Sequence, residues 1–255
     1  MRGISFLLLK GGIGKTTSAT NFAYLLGTKH KKKVLLIDLD QQGNSTLLFG
    51  CREKSDYTLS DLLVNENADV HKAIMKTKYP NIDIICSDKS LIKANQDVLL
   101  DTSTPQQHRL GRHLEKVKDN YDFCIFDCPT ATTMSTLNAL MNTDDVLCPI
   151  RIDSYGFDAL KESLALIGDM RRYNTRLNYA GAFVTMYQNT SLNNQGIEQL
   201  KSSAGVKLFD TKIRNTVKAG ESTYFGPICE YAPRSTAAMD YDALVKEYLK
   251  RIKER

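Results

Sequence analysis

The sequence predicts an α/β fold: a doubly wound, mostly parallel sheet with helices on both faces. Short apolar runs alternate along the chain with segments of helical periodicity. The runs are apolar throughout, which is typical of strands that are buried on both faces. A glycine-rich loop joins the first run to the first helical segment. With 255 residues, 42% of them hydrophobic, the chain can bury a sizeable core, and we expect one domain over residues 1–255.

Each predicted strand is an apolar run, and the predicted helices lie between these runs. The predicted strands are 3–9, 33–39, 82–86, 122–127, 145–151, 179–186 and 207–213. The predicted helices lie near 15–28, 58–64, 89–101, 106–118, 132–142, 155–172, 192–203 and 235–253. Such alternation implies right-handed crossovers, and ligands bind such sheets at the carboxyl ends of the strands.

The predicted helix at 235–253 has a one-sided apolar stripe that includes Tyr241, Leu244, Val245 and Tyr248. Basic residues lie elsewhere on it, so the helix either packs on the core or lies on a membrane surface. We favour core packing. No apolar run approaches the ~20 residues that span a bilayer, and the amino end is a poor signal peptide. The sequence therefore predicts a cytoplasmic protein without stable membrane association.

Charge and cysteine content set weak limits on function. The net charge is +5, and residues 201–255 hold 11 Lys and Arg against 7 Asp and Glu, a net charge of +4. This excess permits an anionic partner without requiring one. The six cysteines form no Cys-x-x-Cys pair or Cys/His cluster, so we expect buried thiols instead of disulfides or zinc ligands.

The glycine-rich loop is the strongest local signal, because it follows a strand and opens a helix as a phosphate-binding loop does. Its glycines let backbone N–H groups point at phosphate oxygens, and the helix N-terminus adds a favourable dipole. Lys15 would neutralise the β- and γ-phosphates of ATP, and the Thr16 hydroxyl would bind Mg²⁺. After Lys10, the predicted nucleotide-binding residues are Gly11, Gly12, Ile13, Gly14, Lys15, Thr16 and Thr17.

Acidic residues end two of the predicted strands. The run at 34–40 ends in Asp38 and Asp40, and the run at 121–127 ends in Asp127. We expect Asp127 to hold Mg²⁺ through water, Asp40 to orient or deprotonate the attacking water, and Asp38 to help organise the metal shell.

An ordered set of short motifs extends over nearly the whole chain, at 10–17, 38–46, 127–129, 184–187 and 226–235. The first three resemble the deviant Walker A, A′ and B motifs of the ParA/Soj partition ATPases, within the ParA/MinD family of P-loop ATPases. The last two also resemble segments of that family, and all five occur in its order.

The resemblance implies roles that the residues alone do not. It implies that Lys10 is the signature lysine, which reaches across an ATP-bound homodimer to the partner's phosphates and acts catalytically with Lys15 and Asp40. It implies that Gly12 lies at the dimer contact. Met186 and Pro227 resemble parts of the family's adenine pocket.

The resemblance also implies partners. ParA dimers bind DNA without sequence preference, and here Arg214 and Lys218 are the predicted phosphate contacts. Because the loop begins at residue 10, we expect no operator-binding domain before it, as in the short ParA form that works with a ParB-like centromere-binding protein on the nucleoid. Weaker candidates for DNA contacts are Lys201, Lys207 and Lys250.

Two departures from the family pattern lie beside the expected γ-phosphate. Gln41 stands where the family usually has Pro, and Thr130 stands where it usually has the second of two prolines. These changes leave nucleotide binding intact and put the hydrolysis rate in question.

Three other functions stay open at this point. One is a MinD-like ATPase that cycles on a membrane, and another is a nucleotide switch with negligible hydrolysis. The third is an electron carrier like the nitrogenase iron protein, which needs cluster-binding cysteines in glycine-flanked loops. The sequence argues against the third, because Cys86 and Cys124 lie in predicted strands and Cys128 lacks such flanks.

Overall fold

The computed structural model describes residues 1–51 and 57–254, and within them the chain forms seven β-strands and twelve α-helices. The strands are β1 Arg2–Phe6, β2 Val34–Asp38, β3 Ile74–Lys76, β4 Ile82–Ile85, β5 Phe123–Asp127, β6 Asp145–Ile150 and β7 Asn178–Val184. The helices are α1 Lys15–Thr28, α2 Asn44–Leu48, α3 Leu59–Val64, α4 Val70–Ala73, α5 Ser90–Leu100, α6 Arg109–Glu115, α7 Met134–Met141, α8 Ser154–Met170, α9 Ser191–Ser202, α10 Lys218–Phe225, α11 Ile228–Tyr231 and α12 Thr236–Lys253.

All seven strands belong to one sheet with the order β3-β4-β2-β5-β1-β6-β7. Every neighbouring pair is parallel except β3 with β4, which is antiparallel. The predicted fold class, a mostly parallel doubly wound sheet, is therefore confirmed. The carboxyl ends of β1, β2, β4, β5, β6 and β7 lie at one edge, the carboxyl edge, and their amino ends form the opposite amino edge.

Helices cover both faces of the sheet because the strands are apolar on both sides. Along β2, Leu35 packs into the cluster with α3, α5 and α7, whereas Leu36 packs into the cluster with α1 and α12. Successive residues of a strand point to opposite faces, so a continuous apolar run fills two cores at once.

The last helix, α12, completes one of these cores. Tyr241, Leu244, Val245 and Tyr248 are at most 2% exposed, which confirms core packing for this segment. The Tyr248 hydroxyl donates to Oδ2 of the buried Asp145 at 2.9 Å. Within the described residues, no helix is long and apolar enough to cross a membrane.

Two features of the sheet edges differ from the sequence predictions. The predicted strand at 207–213 is wrong, since this segment makes isolated bridges to the β7 region in place of a continuous ladder. The physical reason is competition for donors: the N–H groups of Asp210 and Thr211 bond to the Glu247 carboxylate of α12 at 2.9 and 3.0 Å. The antiparallel edge strand β3 was not predicted, because three residues carry too little pattern.

Candidate nucleotide-binding site

The loops at the carboxyl edge bring most of the predicted site residues together. The glycine-rich loop follows β1, Asp38 ends β2, Asp127 ends β5, and Met186 follows β7. Asp38 and Asp127 are register partners on neighbouring strands, so their Cα atoms lie roughly 5 Å apart. Strand order, and not sequence distance, therefore assembles the site.

The glycine-rich loop depends on two left-handed backbone positions. Gly12 has φ +69° and Gly14 has φ +85°, a region that other residues adopt with strain. Gly14 is also the N-cap of α1, so the first free N–H groups of that helix face the loop. Such a loop and helix end can bind an anion such as phosphate.

Lys15 is held inside the loop by the backbone. Its Nζ donates to the carbonyl oxygen of Lys10 at 2.6 Å, and the residue is 7% exposed. Burial lowers the pKa of Lys15, although the charges of Asp127 and Asp40 oppose that effect. A desolvated ammonium group at the helix N-terminus is well placed to bind phosphate oxygens.

Lys10 bonds to a residue that the sequence reasoning missed. Its Nζ donates to Oδ1 of Asp153 at 2.5 Å and lies 5.5 Å from the centre of the Tyr155 ring. Asp153 also caps α8 by accepting from the N–H of Gly156 at 2.7 Å. The two residues are 143 positions apart in the sequence. The sequence around Asp153 indicates only a helix N-cap, so it gives no sign of the contact with Lys10.

Asp38 and Asp127 are both buried and differ in their hydrogen bonds. Oδ2 of Asp38 accepts from the N–H and from the hydroxyl of Thr46, each at 2.8 Å. Oδ2 of Asp127 accepts from the Ser45 hydroxyl at 2.7 Å. Oδ1 of Asp127 has no hydrogen-bond partner among the described residues, although it is buried.

This environment raises the proton affinity of both carboxylates. Burial, followed by the charge of Asp127, raises the pKa of Asp38 to about 7. Burial also raises the pKa of Asp127 to about 6, against the opposing effects of the Ser45 hydrogen bond, the nearby Thr16 hydroxyl and the charge of Lys15. When both carboxylates are ionised, two negative charges lie close together away from water. A bound cation would stabilise this ionised pair.

The residues present fit Mg²⁺. An unpartnered, buried carboxylate oxygen on Asp127 and the nearby Thr16 hydroxyl supply hard oxygen ligands. The described residues contain no group of three His, Cys, Asp or Glu side chains that would hold a metal by itself. That is expected for Mg²⁺, which keeps waters and takes one or two carboxylates plus substrate phosphates.

Asp40 lies on the segment that joins β2 to α2. Its N–H donates to Oδ1 of Asp38 at 3.1 Å, and its own Oδ1 accepts from the N–H of Gln42 at 3.0 Å. Gly43 has φ +65°, and a Cβ there would meet the carbonyl oxygen of Ser87 at 2.7 Å. The N–H of Gly43 also donates to the carbonyl oxygen of the half-buried Asp40 at 2.9 Å, so the close approach at Gly43 restricts the turn that begins at Asp40.

A cleft beside the glycine-rich loop is lined by Ile13, Thr17, Met186, Ile228 and Tyr241, among others. Met186 adopts the left-handed φ of +52°. The structure thus places Met186 at this cleft. It places Pro227 at the N-cap of α11, immediately before the cleft-lining Ile228. Pro227 itself is not among the residues that line this cleft.

Two buried polar side chains, not predicted as site residues, connect the cleft to the loop. Asn21 of α1 donates to the Thr17 carbonyl at 2.8 Å and accepts from the N–H of Cys229 at 2.9 Å. The Thr185 hydroxyl donates to the Ile13 carbonyl at 2.9 Å. A polar residue on the buried side of a predicted helix is the signal that would have identified Asn21.

The predicted DNA contacts, Arg214 and Lys218, are both ion-paired. The Arg214 guanidinium binds Asp240 through Nε at 2.9 Å and Nη2 at 2.6 Å. The Lys218 Nζ lies 2.7 Å from Glu221. Arg214 also lines the cleft, so an additional phosphate contact from it would have to compete with Asp240.

Relatives of the chain were identified by comparison with known proteins. A family model described as an AAA domain matches residues 1–179. The sporulation initiation inhibitor protein Soj of Bacillus subtilis is 37% identical over 243 residues, which cover 93% of this chain and 94% of Soj. The chromosome partitioning protein ParA of Caulobacter vibrioides is 31% identical over 261 residues, which cover 100% of this chain and 96% of ParA.

Among solved structures, the fold is similar to that of cobyrinic acid a,c-diamide synthase from Mycobacterium smegmatis with bound ADP and magnesium. The TM-score is 0.86 at 23% sequence identity, and the match covers 99% of this chain and 96% of the synthase chain. This likeness shows a shared fold.

Proposed function

Because the chain belongs to the Soj and ParA family of chromosome-partitioning ATPases, we propose that it is a DNA-partitioning ATPase. In this proposal Mg-ATP binding drives dimerisation and DNA binding without sequence preference. Slow hydrolysis, stimulated by a ParB-like partner, returns the protein to the unbound state. The observation that carries the proposal is that the glycine-rich loop, Lys15 and Asp127 lie at one edge of the sheet. Among the described residues, Oδ1 of Asp127 has no hydrogen-bond partner.

The glycine-rich loop binds the triphosphate in this mechanism. Its N–H groups and the N-terminus of α1 donate to the phosphate oxygens, and Lys15 moves from the Lys10 carbonyl to the β- and γ-phosphates. Mg²⁺, when bound, neutralises charge on the β- and γ-phosphates. Thr16 and Asp127 are its proposed protein ligands, with Asp38 organising the surrounding shell.

Asp40 is the proposed orienting group for the attacking water. Its backbone is fixed by Asp38 and by the tight contact at Gly43, while the residue stays half-buried and open to solvent. A carboxylate held beside a γ-phosphate can position a water and accept its proton. Gln41 and Thr130 flank this region. The Thr130 methyl group lies next to Gly11, 3.6 Å from the point that a Cβ on Gly11 would occupy.

Dimerisation gives Lys10 its proposed catalytic role. In the protomer, Lys10 bonds to Asp153, and this ion pair must open before Lys10 can reach the phosphates of a second subunit. Gly12 faces open space in the protomer, because no atom of the described residues, its chain neighbours apart, lies within 4 Å of the point that a Cβ would occupy. A two-fold dimer that pairs the carboxyl edges would bring Lys10 and Gly12 to the interface.

The MinD-like alternative is less favoured because α12 uses its apolar stripe inside the protein. Tyr241, Leu244 and Tyr248 pack with α1 and the sheet, so this face is not available to a lipid surface. Truncating residues 241–254 would therefore remove part of the core and would not isolate membrane binding. Nucleoid association, through DNA, is the localisation that we propose.

Nucleotide-gated DNA binding tests the proposed function. We expect purified protein to co-sediment with DNA in ATP and Mg²⁺, and to remain free in ADP or without nucleotide. The Lys15→Ala variant should bind DNA in none of these conditions, because it cannot hold the phosphates. Equal DNA binding in all three nucleotide conditions would contradict the proposal.

The Asp40→Ala variant separates binding from hydrolysis. We expect it to bind ATP, dimerise and stay on DNA, while its turnover number falls by roughly 100-fold or more, the range of general acid–base catalysis. Phosphate release measures the turnover. Normal turnover in this variant would show that another group orients the water.

A further inference from the structure

Two of the six cysteines lie next to each other beside the nucleotide-binding site. Cys51 comes three positions after α2, and Cys86 directly follows β4. The Cys86 sulfur lies 4.0 Å from the carbonyl oxygen of Cys51, and the two thiols interact through a side-chain hydrogen bond. Both cysteines are free thiols and only 2% exposed. A single covalent link between their sulfurs therefore needs only a small movement of the chain.

This thiol–thiol contact distinguishes the pair from the remaining cysteines. The pKa of Cys86 is raised first by its hydrogen bond to Cys51 and then by burial. Burial is instead the first cause of the raised pKa at the other four described cysteines, and none of them has a hydrogen bond to a second thiol within the described residues; they are Cys124, Cys128, Cys148 and Cys229.

A groove with a volume of about 270 Å³ borders Cys51. Its walls include the exposed rings of Tyr224 and Phe225 and the side chains of Lys76 and Lys78. Both lysines already pair with carboxylates of the chain, but they are 83% and 59% exposed. An ammonium group has three donors, so each lysine can also contact the carboxylate of a ligand. The groove therefore suits a small anionic reagent that enters from solvent and reaches Cys51 first.

Burial makes the pair slow to react, and proximity makes it selective. The raised pKa keeps Cys86 protonated at neutral pH, which slows its direct reaction with an oxidant. Once Cys51 has formed a mixed disulfide, however, Cys86 is already in place to displace the reagent. In reducing compartments, disulfides that do form are usually transient or redox-sensing.

We propose that Cys51 and Cys86 form a reversible disulfide, with a small disulfide such as oxidised glutathione as the oxidant, and that this link slows ATP hydrolysis. The modification site is independent of the proposed function, whereas the effect on turnover rests on it.

The chemistry is two successive thiol–disulfide exchanges. In the first, the Cys51 sulfur attacks one sulfur of oxidised glutathione, the glutathione disulfide breaks, and the released glutathione takes the Cys51 proton. In the second, the Cys86 sulfur attacks the Cys51 sulfur, and the other glutathione leaves with the Cys86 proton. Two protein thiols are oxidised, and one glutathione disulfide is reduced to two thiols.

Thr46 of α2 connects the cysteine pair to the metal-binding carboxylates. Its hydroxyl donates to Oδ2 of Asp38 at 2.8 Å and accepts from the N–H of Ser87 at 3.0 Å. Ser87 follows Cys86, and the N–H of Cys51 donates to the Thr46 carbonyl at 3.0 Å. Because a disulfide brings the sulfurs to about 2.05 Å, its formation shifts both segments and displaces Thr46 with them.

Peptide mapping tests the modification site. Wild-type protein is incubated with excess oxidised glutathione, blocked with iodoacetamide and digested with trypsin without reduction. We expect the tryptic peptides 34–52 and 79–89, which contain Cys51 and Cys86, to be recovered as one disulfide-linked species that dithiothreitol separates. Alkylation of both cysteines, or a glutathione adduct that persists on Cys51, would overturn the inference. This measurement uses the wild type alone, so it does not depend on whether a variant folds.

The ATPase rate tests the effect of the link. We expect oxidised wild type to turn over roughly 10-fold more slowly or less, because a displacement of about 1 Å in a catalytic site can cost about 100-fold. Dithiothreitol should restore the rate. The Cys51→Ser and Cys86→Ser variants should keep their turnover in oxidised glutathione. Cys229→Ser is the matched control, because Cys229 is the most exposed of the six thiols at 8%; this variant should be inactivated as wild type is.

The two measurements separate the possible failures. Equal inactivation of wild type and both pair variants would show that another group is modified and would overturn the regulatory effect. A linked peptide with unchanged turnover would overturn that effect and leave the modification site. If reduced wild type hydrolyses no ATP, the proposed function fails and the effect on turnover with it, while the peptide map still decides whether the disulfide forms.

Discussion

Replacing Asp127 with Asn should make the nucleotide-free protein more stable and inactive at the same time. Burial raises the pKa of Asp127 from 3.8 to about 6 in the folded chain, and each pH unit of difference corresponds to about 1.4 kcal/mol. Ionising this carboxylate therefore costs about 3 kcal/mol of folding free energy. The cost is absent below pH 3.8, grows as the pH rises, and is fully present above about pH 6. Asn carries no charge and avoids it.

The expected gain is smaller than the full cost. The Asn amide can still accept from the Ser45 hydroxyl, but a buried NH₂ group without an acceptor offsets part of the benefit. We expect the variant to be about 1 to 3 kcal/mol more stable than wild type at about pH 7.5, and equally stable or up to about 2 kcal/mol less stable near pH 4, where only the amide penalty remains. Removing the Asp127 charge also lowers the pKa of Asp38, which acts in the same direction.

Urea denaturation followed by circular dichroism is the suitable assay, because the chain has no tryptophan. Adding Mg²⁺ with ATP should stabilise wild type and leave the variant unchanged. The exposed Asp158→Asn variant is the matched control, with little change at either pH. A less stable Asp127→Asn protein near neutral pH, or a stability difference that is the same at both pH values, would refute this account of the site.

Two further substitutions test the backbone around the site. Gly43→Ala should destabilise the fold by about 2 to 3 kcal/mol in urea, because left-handed strain costs ~1 to 2 kcal/mol and the new methyl group also meets the Ser87 carbonyl. Gly205 has a similar φ of +78°, with open space around its Cα. The Gly205→Ala control should therefore be destabilised by the backbone strain alone. An equal loss of stability in both variants would contradict the close contact at Gly43. Thr185→Val should raise KM for ATP several-fold with little change in kcat, because the Ile13 carbonyl of the loop loses its donor. An unchanged KM in steady-state phosphate release would remove Thr185 from the positioning of the loop.

Local sequence was enough to predict the sheet and which residues lie together at its carboxyl edge. Asp38 and Asp127 each end a continuous apolar run, and parallel strands bring such ends to one edge whatever the sequence distance between them. Lys15 and Thr16 lie in a glycine-rich loop, and the spacing of its glycines and lysine indicates the shape of a phosphate-binding loop without any distant contact. These residues were therefore predictable without knowledge of the strand order.

Contacts between distant segments were not predictable in this way. The pairing of Lys10 with Asp153 depends on where the β6 loop passes the β1 loop, and neither segment encodes the other. The failed strand at 207–213 has the same origin. Its apolar pattern suits a strand, but two of its backbone N–H groups donate to the Glu247 carboxylate of α12. This contact depends on how α12 packs and could not be predicted from the segment itself.

The buried carboxylate of Asp145 also affects the newly made chain. It binds Arg2 at 2.6 Å and the Tyr248 hydroxyl at 2.9 Å, so its two partners leave the ribosome 246 residues apart. At ~5–20 residues per second, that interval lasts roughly 10 to 50 s. Until α12 emerges, the side of α1 that packs on this helix, where the Phe22 ring meets the Tyr248 ring, stays uncovered. Nascent chains of this protein should therefore be substrates for a chaperone until α12 has left the ribosome and packed on α1.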